Sequence, residues 1–236
     1  MKNQYFGDIN DYRKYGLLRS FLKTSNLKML VIWMLTPDDG SNDGGKQGYL
    51  VKPEKWAKHD KSLFYSLQEL VLLKDKDKLS LLERTNILMG STFYSEIVPD
   101  YSEARNIWFE NLQARLDDAD IVFFDPDNGI EVKSKSYGSR DSSKYLYWKE
   151  IEAVWEKGKS VIIYQHFPRV KRDVFIDRML NDLQVHCPSA FVDSFNTSNV
   201  AFLTALQPDH NYFYDKLVEH LYDNWEKEIF RWKRAL

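Results

Sequence analysis

Helical and strand periodicities alternate along this 236-residue chain, and with two buried-strand signatures and a hairpin near the carboxyl end they predict a three-layer α/β fold. The signatures are Ile121-Val122-Phe123-Phe124 and Ser160-Val161-Ile162-Ile163-Tyr164, short runs rich in β-branched and aromatic residues that suit strands covered on both faces. The hairpin pairs Ala190–Ser194 with Val200–Leu206 around Phe195-Asn196-Thr197-Ser198-Asn199. The sheet is therefore expected to be mostly parallel with a C-terminal antiparallel strand pair. No repeat, low-complexity segment or linker interrupts residues 1–236, so one domain is expected.

Taken in order, a helix is predicted at about 10–24, where Tyr15, Leu18, Phe21 and Leu22 recur at helical spacing and Asp8 or Asn10 can cap the start. Lys28–Leu35 is a strand bounded by Thr36-Pro37. The loop from Pro37 to Gly48 is rich in glycine and carries Asp38, Asp39 and Asp43, which excludes regular structure and suits a connector or a binding loop. A helix at about 53–73 has Trp56, Leu63, Phe64, Leu67, Leu70 and Val71 on one face and Pro53 in its first turn. Lys74–Lys78 alternates in charge as a solvated connector. Within 79–100, Leu81-Leu82 and Ile87-Leu88-Met89 fit a short helix or strand, and Phe93–Ile97 a further strand. A helix at 101–117, striped by Ile107, Trp108, Leu112 and Leu116, delivers the chain to the strand at 121–124. Lys133–Lys144 reads as a long loop or lid, Tyr145–Lys157 as a helix ending at Gly158, 169–185 as another helix, and about 209–234 as the last.

Composition narrows the function classes. A hydrophobic content of 43% supports a proper core, and a single cysteine, Cys187, excludes an internal disulfide framework and the usual Cys/His zinc spacings. Met1-Lys2-Asn3-Gln4-Tyr5 lacks an apolar signal core, and no apolar run approaches the roughly 18–20 residues of a membrane span, so a soluble cytoplasmic protein with no membrane partner is expected. A net charge of −2 excludes a strong global field for nucleic acid, leaving local basic groups at Arg13, Lys14 and Arg19, at Arg169, Lys171 and Arg172, and at Lys227, Arg231, Lys233 and Arg234. Nothing in the sequence sets an oligomeric state.

The chemistry concentrates after the strand at 121–124. Pro126 cannot donate to a sheet ladder and Asn128-Gly129 is a turn dipeptide, so Asp125 falls at the carboxyl end of the strand with its side chain free, at the edge where open α/β sheets bind ligands. Asp127 and Glu131 add carboxylates to the same turn. His166, directly after the strand at 160–164, falls on the same ligand side.

These pieces, in this order, resemble class I methyltransferase-fold proteins, nearest to the ribosomal-RNA adenine-N6 methyltransferases. That family carries Gly-Asn-x-x-Asp-x-x-Lys ahead of its first strand; here Gly7-Asp8-Ile9-Asn10-Asp11-Tyr12-Arg13-Lys14 matches at Gly7, Asp11 and Lys14, with Asp8 in place of Asn. Its catalytic Asp-Pro-Pro-Tyr stands at the end of strand 4, where this chain has Asp125-Pro126-Asp127-Asn128 and matches in the first two residues. The resemblance implies a Rossmann-like sheet whose last two strands are the antiparallel pair, and S-adenosylmethionine as cofactor. It further implies an RNA or DNA substrate whose amino group hydrogen-bonds to Asp125 near Pro126. Gly7, Asp11, Lys14 and the loop with Asp38, Asp39, Gly44 and Gly45 would form the cofactor pocket.

A second reading uses the same residues as metal ligands. In this sheet order the strands at 28–35 and 121–124 are neighbours, so Asp38, Asp39 or Asp43 would face Asp125, Asp127 and Glu131 across one crevice. Clustered carboxylates suit Mg²⁺ or Mn²⁺, with Asp39, Asp125 and Asp127 as ligands and His166 or Lys14 as base or phosphate clamp in phosphodiester hydrolysis. A third reading keeps the fold without catalysis, as a nucleic-acid or protein binding module.

Overall fold

Strands drawn from positions 29 to 231 assemble into one seven-stranded sheet in a computed structural model that describes residues 6–37, 45–73 and 77–232. They are β1 (Met29–Ile32), β2 (Ser91–Tyr94), β3 (Ile121–Phe124), β6 (Ser160–His166), β7 (Phe191–Asn196), β8 (Val200–Leu206) and β9 (Phe230–Arg231), in the order β2-β1-β3-β6-β8-β7-β9. The first four run parallel, with Ile32 beside Phe124 and Phe124 beside Ile163. β8 enters antiparallel between β6 and β7, and β9 adds a short antiparallel edge. A separate parallel pair joins β4 (Gly129–Ile130) to β5 (Tyr145–Leu146).

Alternation along the strands sorts their side chains between two cores. Val31, Phe123 and Ile162 face a layer built by α1 (Ile9–Thr24), α3 (Lys61–Leu72), α4 (Lys78–Glu83) and α8 (Tyr214–Trp225). Ile32, Phe124 and Ile163 face α5 (Ser102–Gln113), α6 (Trp148–Glu156) and α7 (Arg172–His186). The mixed α/β architecture with helices on both faces is thus as the strand runs predict. Among the described residues no helix is long and apolar enough to cross a membrane.

Boundaries differ where local chemistry overrides periodicity. The helix expected at 53–73 is two, α2 (Pro53–Trp56) and α3, because Asp60 caps a new start by accepting from the Leu63 N–H at 3.0 Å. Tyr145-Leu146 pairs as a strand before α6, and the helix expected at 169–185 begins at Arg172. The helix expected at 209–234 is confined to 214–225: Pro208–His210 forms a 3-10 turn, and the chain returns as β9, where Trp232 donates its backbone N–H to the Ser194 carbonyl at 2.7 Å. The segment at 133–144, expected to be a loop or lid, is held on both sides. Asp100 accepts from the Asp141 and Ser143 N–H groups, and the fully buried Arg105 donates to the carbonyls of Ser142 and Tyr145 and to Glu150.

Candidate active site at the carboxyl ends of β1 and β3

The amino end of α1 lies over the carboxyl ends of β1 and β3. Asp8 caps α1, accepting from Asn10 N at 2.8 Å and Asp11 N at 2.9 Å, while Gly7 N donates to Asp11 Oδ2 at 2.8 Å. One turn on, Lys14 Nζ lies 2.8 Å from Asp11 Oδ1 and 2.8 Å from Asp125 Oδ2. All three side chains are buried. Asp125 was expected to project a free carboxylate, and instead it is ion-paired, because a carboxylate at this depth is stable only with a cation beside it.

Aromatic rings enclose the ammonium. Lys14 Nζ stands 5.2 Å from the ring centre of Tyr15 and 5.5 Å from those of Trp33 and Tyr164. Trp33 follows β1 and Tyr164 lies near the end of β6, so three elements meet on one charge. The exit from β1 is tight: Met34 has φ +46°, a left-handed conformation that costs a non-glycine residue about 1–3 kcal/mol and clusters at functional sites. Beyond it Thr36 Oγ1 donates to Asp127 Oδ2, tying the exits of β1 and β3 together.

The turn after Asp125 is shaped by packing. Pro126 is buried, Asp127 half-buried and Asn128 exposed, with the Asn128 N–H donating to the Lys144 carbonyl. Gly129 has φ +92°, and a Cβ there would stand 2.3 Å from Gln165 Nε2, so only glycine lets Gln165 Oε1 accept the Ile130 N–H at 2.8 Å. Glu131 does not reach the crevice. Its carboxylate accepts the Trp148 N–H at 2.8 Å and caps α6.

Charge in the site is predominantly acidic. Burial raises the Asp11 pKa from 3.8 to about 6 against the opposing pull of Lys14, with Asp8 and Asp125 adding to the rise. Burial also raises Asp8. Burial alone would lower Lys14, but Asp11 and Asp125 outweigh it and the ammonium is held above its ordinary value. The His166 ring reaches solvent, and partial desolvation lowers its pKa, which Asp125 and Asp127 only partly offset. The Tyr15 hydroxyl is buried in the field of Asp11 and Asp125 and has no hydrogen-bond partner among the described residues.

No family model and no curated protein matches the chain. The site therefore rests on its own geometry. That geometry brings together Asp11, Lys14 and Asp125 in direct contact, puts Gly7 on the Asp11 carboxylate, and places Pro126, Asp127 and His166 beside them. Asn128 faces solvent on the outer side of its turn, and Gly45 is exposed with open space around it. Asp38, Asp39, Asp43 and Gly44 lie outside the described residues, and among the described residues no group of three His, Cys, Asp or Glu side chains could hold a metal ion. Periodicity missed Tyr15, Trp33, Thr36, Tyr164 and Gln165, which it assigns to core or loop. The available signal was position, since Trp33, Thr36, Tyr164 and Gln165 stand at or just past the carboxyl ends of parallel strands.

Proposed function

We propose that this protein is an S-adenosylmethionine-dependent adenine-N6 methyltransferase acting on nucleic acid in the cytoplasm. The observation that carries the reading is the Lys14 ammonium seated between Asp11 and Asp125. It joins the Gly-x-x-x-Asp-x-x-Lys segment to the Asp-Pro turn, the two motifs on which the resemblance rests. The strand order supports a Rossmann-like sheet of that kind, with the Asp-Pro strand beside β1 and the hairpin at the far end. The donor set fits a cationic, hydrogen-bonding cofactor: Asp8, Asp11, Asp125 and Asp127 outnumber Lys14, and the Tyr15 hydroxyl is a buried group in want of a partner.

S-adenosylmethionine, when bound, supplies an electrophilic methyl group. In this reading the Asp125 carboxylate accepts a hydrogen bond from the exocyclic amino group and orients its lone pair. Lys14 is the ion-pair partner of Asp125 at depth, Pro126 fixes the turn, and in this reading a His166 ring nitrogen takes the proton that the amine sheds. The same carboxylates favour Mg²⁺ or Mn²⁺ hydrolysis as a second reading. Against it, the Lys14 ammonium is already paired with Asp125, one of the carboxylates that reading needs.

Calorimetric titration with S-adenosylmethionine, and separately with Mg²⁺ and Mn²⁺, tests both. Micromolar cofactor binding is expected, with methyl transfer to RNA or DNA falling at least a hundredfold in Asp125→Asn while circular dichroism stays native. Absence of cofactor heat, together with metal binding that weakens in the Asp125 variant, would replace methyl transfer by hydrolysis. Binding of neither would leave a non-catalytic binding module.

A further inference from the structure

We propose that residues 166–172, the loop leaving β6 and the first turn of α7, form the surface that holds the phosphate chain of the nucleic-acid substrate beside an unpaired target base. The inference rests on the substrate class of the reading above and adds where and in what form that substrate binds.

Pro168, Arg169, Val170, Lys171 and Arg172 are all exposed. None of the three cations has an ion-pair partner among the described residues, whereas Arg13, Lys14, Arg19 and Arg105 are each paired with a carboxylate. Three like charges within four residues repel one another and attract an anion brought from outside. Their setting is firm. Phe167 packs edge-on against Phe175 at 6.2 Å, the Val170 N–H donates to the Pro168 carbonyl at 2.8 Å, and the Arg172 guanidinium lies 4.8 Å from the Phe167 ring centre. A guanidinium stacked on an aromatic ring keeps its donors in one plane, the geometry that pairs with phosphate oxygens and offers a flat face to a base.

The loop also stands where such a substrate needs it. His166 opens it, its ring 5.1 Å from Tyr164, which in turn lies 5.5 Å from the Lys14 ammonium. The floor of the site, at Asp8, Asp11, Asp125 and Asp127, repels a polyanion. A cationic rim beside an acidic floor resolves the conflict: phosphates rest on the rim and only the uncharged base descends. Asp125 is 3% exposed, beyond reach of an amino group held in a stacked duplex, so the base must come from an unpaired or extruded nucleotide.

The test is fluorescence anisotropy with labelled single-stranded RNA, single-stranded DNA and duplex DNA over a range of salt, on the wild-type chain and on Arg169→Ala/Lys171→Ala/Arg172→Ala. The substituted side chains are exposed, so the fold is expected to persist. For single strands each phosphate contact contributes about −0.7 to the slope of log affinity against log salt, so the triple variant should lose about 2 from that slope and at least tenfold in affinity at low salt. Its calorimetric response to S-adenosylmethionine should match the wild type. Wild-type affinity and slope in the variant would overturn the surface while leaving methyl transfer standing. Loss of nucleic-acid binding in the variant would uphold it even if the chain bound no cofactor. Tighter binding of duplex than of single strands would overturn the unpaired base, and a wild-type chain that binds no nucleic acid would overturn the proposal together with its substrate class.

Discussion

Replacing Lys14 would leave Asp11 and Asp125, both nearly sealed from water, facing each other without a cation. Removing one partner of a buried ion pair costs about 3–5 kcal/mol, so Lys14→Met should lower the urea midpoint by that equivalent, and a midpoint unchanged from wild type would mean the pair is exposed in solution. Asp11 gives an independent reading of the same environment. Its carboxyl carbon should titrate by NMR near pH 6 instead of 3.8. Because the folded state then binds this proton more tightly than the unfolded chain, the Asp11 contribution to stability is greatest below about pH 4 and declines as pH rises toward 6. A midpoint under 4 would show that Lys14 outweighs burial. The motif spacing made Asp11, Lys14 and Asp125 legible as separate candidates. Their contact was not, since helical or strand periodicity says nothing about pairs 111 positions apart.

Between elements, the seat of α1 on α8 depends on one missing methyl group. A Cβ at Gly16 would stand 2.3 Å from Trp225 Cζ2, and that indole is held on its other sides by Tyr12 at 5.1 Å and His59 at 5.2 Å. Alanine is the better helix former by about 1 kcal/mol, so a glycine inside α1 reflects this close approach. Gly16→Ala should nonetheless destabilise by about 1–3 kcal/mol through overpacking, read as a drop in Tm, and a rise in Tm would mean the indole can turn away. The 133–144 segment makes the complementary point. Its polar composition reads as a long loop or lid, and Arg105 and Asp100 give its backbone defined partners, with the cation 4.9 Å from the Tyr147 ring centre. A pattern of polar residues records exposure to water in general, not which buried arginine will claim their carbonyls.

Across the whole molecule, the sheet ranks its own strands. β3, β6 and β8 are flanked by strands on both sides and carry almost uninterrupted burial, whereas β2 and the two-residue β9 are edges with exposed positions. Amide hydrogen exchange should therefore be slowest in Val161–Ile163 and Phe202–Ala205 and fastest in Phe230-Arg231, and uniform protection would contradict this gradient. The same arrangement places the acidic site at the carboxyl ends of β1 and β3 and the cationic loop after β6.

The residues alone were sufficient for the α/β class, the central strands at 121–124 and 160–164, the antiparallel hairpin, and the position of the Asp125 turn at the end of a buried strand, because burial on a two-residue or 3.6-residue period and turn chemistry are written in adjacent positions. They overextended the helices at 53–73 and 209–234, where a cap at Asp60 and strand pairing at Phe230-Arg231 end what hydrophobic spacing would continue. Tertiary packing alone determined that Lys14 closes on Asp125 within an aromatic cage, that Glu131 caps a helix, and that Arg105 fastens a loop. Each is a pairing of groups distant along the chain, fixed by the cost of leaving buried charge and backbone polar atoms without partners, a cost that exists only once helix and sheet have met.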